Sequence, residues 1–468
     1  MLIAPHTLVS ALFMAADIRA IEQQWRSNHS SASLMEQAGA AIAELAGTLA
    51  NESGAPMLIL AGPGNNGGDA LVAARILKKQ GYRVLVVSQA DPGRLPPDAA
   101  RAWSDWRDSG DGTILNEIPR SQAFSLVIDG LFGVGLQRDI IGETANMIAL
   151  AQDLSCPKLA IDMPSGLDSD SGRIRGCGLR ADHTLTFLGL KPGLLTADGP
   201  DYAGALHLDT LGVEQSGMPA TPGFALTHLA PRHRLPARAQ NSHKRTYGHV
   251  GIIGGEWGMV GACLIAGRAT LKQGAGSVTL GTLDDRIVVD YGEPRLMFAS
   301  PETLLGQQMH VLAIGPGLGQ STRAHALLEA ALAATCPLVL DADALNLLAN
   351  DPDLAHHASQ RSQPTLLTPH PGEAARLLDL SVDDVQANRI EISHALSQKF
   401  QATVALKGVG TVIAHPDGRY AINTSGGPWL AQAGSGDCLT GMVAALLGQG
   451  MPASDALEAA VWLHGGLR

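Results

Sequence analysis

Aromatic residues are scarce in this 468-residue chain (4%), and so are charged ones (16%). That balance excludes a coiled coil and a disordered chain, both of which need far more charge. No run of 18 apolar residues occurs, so no membrane-spanning helix is expected. Positive charge is in deficit, with a net charge of −11. Neither nucleic acid nor an anionic membrane is therefore expected as a partner, and any phosphate must be held by local donors. No CxxC pair is present, and the five cysteines (Cys156, Cys177, Cys263, Cys336, Cys438) are odd in number. Reduced, mostly buried thiols in a cytoplasmic protein are the expected state. The apolar stretch 8–16 has no preceding Lys or Arg and follows Pro5 and His6, so it is read as a packed N-terminal segment and not as a secretion signal.

What the chain has in plenty is glycine, 54 copies, which suits a loop-rich α/β enzyme of two to three domains. Short β runs at 57–61, 83–88, 125–129, 158–162 and 183–188 alternate with helical stretches such as 69–80 and 142–153. Such alternation predicts a parallel sheet with helices on both faces, binding its ligand beyond the carboxyl ends of the strands. Residues 214–246 are rich in Pro, Ser and basic residues and lack periodicity, so a domain boundary is placed there. A second series follows, with strands at 249–254, 277–281, 311–315, 337–341, 365–368 and 402–407. Its helices are expected at 261–273, 323–334, 372–380, 382–399 and 435–448. The expected domains are 1–215 and 225–468, with no short-period repeat.

In the first half, "LILAGPGNNGGDALVAARIL" sets Asn65, Asn66, Gly67, Gly68 and Asp69 between a buried strand and an amphipathic helix. A glycine-rich turn of this kind lets backbone N–H groups approach an anion, aided by the helix N-terminus. A tight structural turn capped by Asp69 is the alternative. "VIDGLFGVGLQRD" places Asp129 at a second strand end, and "AIDMPSGLDSDSG" places Asp162 and Ser165 at a third. Asn66, Asp129 and Ser165 are hard oxygen donors that suit an alkali or alkaline-earth cation, and Asp162 is an acid or base candidate.

In the second half, "AGSGDCLTGMVAALLG" puts Gly436 and Asp437 at a helix start. Backbone amides there form an anion hole, and Asp437 is placed to take a proton from a hydroxyl attacking a phosphate. A plain helix cap is the alternative. Lys407, Gly408, Val409, Gly410 and Thr411 follow a strand, where Lys407 can neutralise a nucleotide phosphate. His370 is balanced between a site residue and a hydrogen-bonded structural one. Asp341 and Asp343 are read as packing and capping more than as ligands.

These motifs carry a resemblance. "SLMEQAGAAIA", "GPGNNGGDALVAARIL", "VIDGLFGVGLQR" and "AIDMPSGLDSDSG" resemble the YjeF-type domain that epimerises hydrated NAD(P)H. The resemblance implies a Rossmann-like three-layer sandwich with the dinucleotide at Asn65 to Asp69 and at Gly133, Val134, Gly135, Leu136, Gln137, Arg138 and Asp139. It implies a potassium ion (K+) at Asn66, Asp129 and Ser165, and Asp162 beside the nicotinamide. Ala70 departs from the family's usual glycine. From about His243 onward, "YGHVGIIGGEWGMVGACLIAGRATLKQGAGSV" and the later motifs resemble the ADP-dependent NAD(P)H-hydrate dehydratases. That resemblance implies a ribokinase-like three-layer α/β/α domain using ADP and Mg2+. Ala262, Gly317, His370 and Asp437 would contact the hydrated dinucleotide, while Lys407 to Thr411 and Gly436 would hold the adenine nucleotide. Arg245 stands where the family has glycine, and the chain stops at "VWLHGGLR" where relatives continue, so a truncated end is expected. A bifunctional repair enzyme and a homo-oligomer follow as expectations. A ribokinase-type small-molecule kinase and a non-catalytic nucleotide sensor are the competing classes.

Overall fold

The computed structural model describes residues 11–28, 33–50, 54–110, 112–214, 218–234 and 237–467. Part of the expected N-terminal packed segment (8–10) and the expected domain end at 215 lie outside them. Of the rest of that segment, Leu12 and Phe13 are buried, and Leu12 bridges to Leu190. The chain forms two compact units, one up to Thr221 and one from Pro222 onward.

In the first unit, strands β1 (Met57–Ala61), β2 (Val84–Val87), β3 (Ile114–Leu115), β4 (Leu126–Gly130), β5 (Lys158–Ile161), β6 (His183–Phe187) and β7 (Ala205–Asp209) make one sheet. Its order is β3-β2-β1-β4-β5-β6-β7, and every pairing is parallel. Alternate residues serve opposite layers, as strand geometry requires. Met57, Ile59 and Ala61 pack with helices Ala15–Asn28, Leu34–Leu49, Asn65–Lys79 and Pro97–Asp108, while Leu58 and Leu60 pack with Gly142–Gln152. Both faces of β1 are therefore buried, which is why it reads as a continuous apolar run.

The second unit repeats the plan. It contains β8 (Gly223–Leu226), β9 (His249–Gly254), β10 (Ser277–Thr282), β11 (Met297–Ala299), β12 (Val311–Ile314), β13 (Leu338–Leu340), β14 (Thr365–Leu367), β15 (Thr403–Leu406), β16 (Val412–Ala414) and β17 (Tyr420–Asn423). The order is β11-β10-β9-β12-β13-β14-β15-β16-β17-β8. Only the β15–β16 and β16–β17 pairings are antiparallel. One core packs helices Val260–Lys272, Ser435–Gly448 and Ala453–Gly465; the other packs Thr322–Leu332, Asp343–Asn350, Pro371–Leu378 and Arg389–Phe400.

Several expectations are corrected. Gly223–Leu226, inside the stretch read as aperiodic, pairs with β17 as an edge strand, so the second unit starts before 225. Four residues are too few to show periodicity. The span 382–399 is two helices, Val382–Ala387 and Arg389–Phe400, broken at Asn388 (φ −135°, ψ 45°).

The helix expected from 69 begins at Asn65 with Gly64 as N-cap, so Asp69 is not the cap. Its glycines weaken helix propensity, and packing overrides that. A Cβ on Gly67 would overlap the Gly62 carbonyl oxygen, and one on Gly68 would lie 2.5 Å from Met35 Cε. These two glycines therefore serve close packing. Ala70 fits because Gly130 opposite has no side chain: a Cβ there would sit 2.6 Å from that of Ala70.

Candidate active sites

Strand order reverses direction between β1 and β4 in the first unit, and a crevice opens at the carboxyl ends of the strands on either side of such a switch point. A cavity of about 730 Å³ lies there, within the range of small-ligand sites. Asn65, Asn66, Asp69, Gly133, Val134, Gly135, Leu136, Gln137, Arg138 and Asp162 line it. Gly67, Gly68, Asp129 and Ser165 stand outside the lining, and so does the exposed Asp139.

Asp162 follows β5 with φ +63°, in the left-handed region that a side-chain-bearing residue seldom adopts. That turn sends Oδ1 toward β6, where it accepts from Lys191 Nζ at 2.5 Å, the Phe187 N–H at 3.3 Å and the Thr186 hydroxyl at 3.4 Å. Oδ2 faces the Gly133 loop: a Cβ on Gly133 would meet Asp162 Oδ2 and Asn66 Oδ1 each at 3.2 Å. Sequence reasoning passed over Lys191, whose only signal was a lone cation just past a strand end. Glu22, on helix Ala15–Asn28, was also passed over and lines the same cavity. Burial, reinforced by Asp162, pushes the carboxyls of Glu22 and Asp69 up, and Asp69 well up.

Asp129, on β4, is fully buried. Its oxygens accept from the Ser165 hydroxyl at 2.6 Å, the Ser165 N–H at 2.8 Å and the Leu131 N–H at 3.2 Å. These partners are neutral, and burial pushes its carboxyl up. A buried carboxylate whose hydrogen-bond donors are all neutral fits a monovalent cation, since one positive charge would balance it. The buried Nδ2 of Asn66 has no partner among the described residues, and no hydrogen bond joins Asn66 to Asp129 or Ser165.

In the second unit the switch point lies between β9 and β12, and the loops after both strands meet. Gly317 (φ +59°) sits against Ala262: a Cβ on it would lie 3.3 Å from that of Ala262. Helix Ser435–Gly448 is capped by Gly434 (φ +85°), with Gly436 and Asp437 in its first turn. A Cβ on Gly436 would be 3.2 Å from Lys407 Nζ, so the helix start and the lysine adjoin. Lys407 Nζ donates to Asp341 Oδ1 at 2.8 Å and lies 3.9 Å from Glu373 Oε2. Asp341, nearly fully buried, is thus an ion-pair partner and not a plain cap. Asp343 closes the glycine loop, accepting the Gly319 N–H at 2.9 Å.

His370 caps helix Pro371–Leu378: its Nδ1 accepts from the N–H groups of Gly372 and Glu373 at 3.0 and 3.3 Å. Nε2 then carries the proton, 3.2 Å from Glu373 Oε1. Burial pushes Glu373 up to about 7 and Asp437 up to about 6, the latter aided by Asp341 and opposed by Lys407. Burial works against charge on Lys407, but Asp341 and Glu373 outweigh it and hold its ammonium above the ordinary range. Beneath residues 407–411 lies Arg389, a buried residue that sequence reasoning missed. It donates to the carbonyls of Leu406 and Lys407 at 3.1 and 3.3 Å. Val409 is exposed at the rim, and the backbone N–H of Asn423 donates to Thr411 O at 3.0 Å.

A family model described as NAD(P)H-hydrate dehydratase matches residues 250–467, and one described as YjeF-related protein N-terminus matches residues 31–193. Bifunctional NAD(P)H-hydrate repair enzymes match across both. One from Escherichia coli is 37% identical, covering 87% of this chain and 79% of the relative. One from Moorella thermoacetica is 36% identical over 92% and 86%, and one from Leishmania braziliensis is 37% identical over 92% and 84%. The chain belongs to the bifunctional NAD(P)H-hydrate repair enzymes. A repair enzyme of this kind pairs an epimerase unit with a dehydratase unit, which accounts for two separate sites on one chain and leaves no idle half. A crystal structure of the ADP/ATP-dependent NAD(P)H-hydrate dehydratase from Bacillus subtilis, co-crystallised with ATP and Mg2+, is 34% identical. It covers 50% of this chain and 84% of its own, at a TM-score of 0.45. Among the described residues of this repair enzyme, no helix is long and apolar enough to cross a membrane, and the five cysteines are free.

Proposed function

We propose that the two repair steps each turn on one carboxylate, Asp162 in the first unit and Asp437 in the second. In epimerisation, Asp162 Oδ2 takes the proton of the nicotinamide C6 hydroxyl. The oxygen lone pair forms C6=O, and the C6–N1 pair moves onto N1, delocalised through C2=C3 into the carboxamide. Closure on the other face of the carbonyl, with return of the proton, gives the opposite epimer. The observation that carries this reading is that Oδ1 is fully engaged while Oδ2 faces the cavity. Asp162→Asn should slow interconversion of the R and S hydrates by about 100-fold or more and leave dehydration of the S form intact; unchanged interconversion rejects the assignment.

In dehydration, Asp437 takes the proton of the S hydroxyl as its oxygen attacks the terminal phosphorus of ADP, and AMP leaves. Phosphate then leaves C6 with the C6–O bonding pair while the C5–H pair becomes C5=C6, and the C5 proton passes to the departing phosphate. Phosphorylation turns a poor leaving group into a good one. Lys407 beside Gly436 supports this reading, because cation and helix N-terminus together attract phosphate. Mg2+ would sit with the phosphates near Glu373 and Asp437, whose carboxylate oxygens suit a hard cation, and it would neutralise developing charge there. K+ would lie at Asp129 with Ser165 and Asn66, ordering the loops that carry Asp162 and Gly133. The residues Asn65 to Asp69 and Gly133 to Asp139 would hold the hydrated dinucleotide in the first unit, and Ala262, Gly317 and His370 in the second. The adenine nucleotide would lie along Lys407 to Thr411. Separable domains and a cytoplasmic setting complete the proposal. So does a homo-oligomer, which the exposed Trp257, Val288 and Tyr291 support.

A further inference from the structure

We propose that Lys191 is a positioning residue of the epimerase, pairing with Asp162 Oδ1 and holding the carboxylate turned so that Oδ2 alone meets the substrate. The inference rests on the role assigned to Asp162 above. Lys191 is fully buried. Its ammonium has three oxygen partners: Asp162 Oδ1 at 2.5 Å, Thr186 Oγ1 at 2.9 Å and Phe187 O at 2.7 Å. A lysine shut away from water at this cost needs a compensating anion, and Asp162 is the only carboxylate among those partners. The three donors converge on Oδ1, so the carboxylate cannot rotate without breaking the ion pair. The positive φ of Asp162 belongs to the same arrangement, because it folds the side chain back toward β6 and Lys191.

Asp162 shares its cavity with Glu22 and Asp69. Lys191 does not line the cavity, so it acts through Asp162 and not on the dinucleotide.

The test is a double-mutant cycle in the full-length chain, following R-to-S interconversion of NADPH hydrate by chromatography without ADP. Lys191→Met should lower kcat by about 100-fold, the lower end of what a general base contributes, with KM within about threefold of wild type. In an Asp162→Asn background the same substitution should cost nothing further, since residues acting as one unit are non-additive. Lys191→Gln, which keeps a hydrogen-bond donor but no charge, should show the same pattern and serves if the methionine variant fails to fold. A kcat within about threefold of wild type in the folded variant overturns the inference, as does an equal further loss in the Asp162→Asn background. Full activity of Asp162→Asn alone would instead remove the reading on which the inference rests.

Discussion

Lys407 Nζ stands 2.8 Å from Asp341 Oδ1, and Asp341 Oδ2 accepts the Thr440 hydroxyl at 2.6 Å. One buried carboxylate thus ties the loop after β15 to the helix that carries Asp437. Asp341→Asn would leave the Lys407 ammonium without its nearest anion. Breaking a buried pair from one side typically costs about 3 kcal/mol or more. The variant should unfold its second unit at lower urea and lose dehydration while still epimerising. An unshifted urea midpoint would show that Lys407 finds another partner.

As the proposed base, Asp437 should set the acid limb of dehydration. Its carboxyl is raised to about 6, so it holds a proton below that pH and cannot accept another. The rate should be flat above about pH 6 and fall about tenfold per unit below it, as for any single essential base. Asp437→Asn keeps the shape and should cost about 100-fold to 10,000-fold while ADP still binds. Near-normal dehydration by this variant would reject the mechanism.

Among the described residues Asp129 accepts only from neutral donors, and the proposed cation would supply its counter-charge. Replacing potassium by a bulky organic cation, or making Asp129→Ala, should slow epimerisation and spare dehydration. Equal epimerisation rates in every cation would remove the cation from this account.

Glu458 is buried and accepts from His233 Nε2 at 2.7 Å, His415 Nε2 at 3.0 Å and Arg232 at 2.7 Å. Burial alone would raise its carboxyl, but these three partners outweigh it and hold the group far below the ordinary range. A depressed carboxyl adds stability that is present above its unfolded value, about 4.3, and lost as pH falls below it. Glu458→Gln should therefore destabilise the second unit at pH 7 and weaken its dependence on pH below about 4. Parallel acid-unfolding curves for variant and parent would contradict this.

The two units should also fold apart. Residues 1–221 expressed alone are expected to interconvert the hydrates without nucleotide, and 222–468 to dehydrate the S form with ADP. A folded but inert 1–221 fragment would mean that the first site is incomplete by itself.

Much of this was legible in the chain. Apolar runs such as 57–61 and 311–314 declare strands because both of their faces are buried, and NNGGD and GSGD mark helix starts because few other residues pack there. Motif order alone was enough to point to the paired epimerase and dehydratase. Other features depend on partners distant in sequence. Gly67 is a glycine because Gly62 lies against it, which no local pattern reports. Edge strand β8 and the hairpin β16–β17 are too short for periodicity to register. Lys191 and Arg389 look like ordinary surface cations until the fold buries them, and Asp341 reads as a cap until Lys407, 66 residues away, arrives beside it. The sequence determined which chemistries the chain could carry, since residue type and spacing do not depend on the fold. Only the tertiary structure decided which oxygen of Asp162 is free and which lysine faces which carboxylate, because burial and hydrogen bonding are set by residues brought together from distant strands.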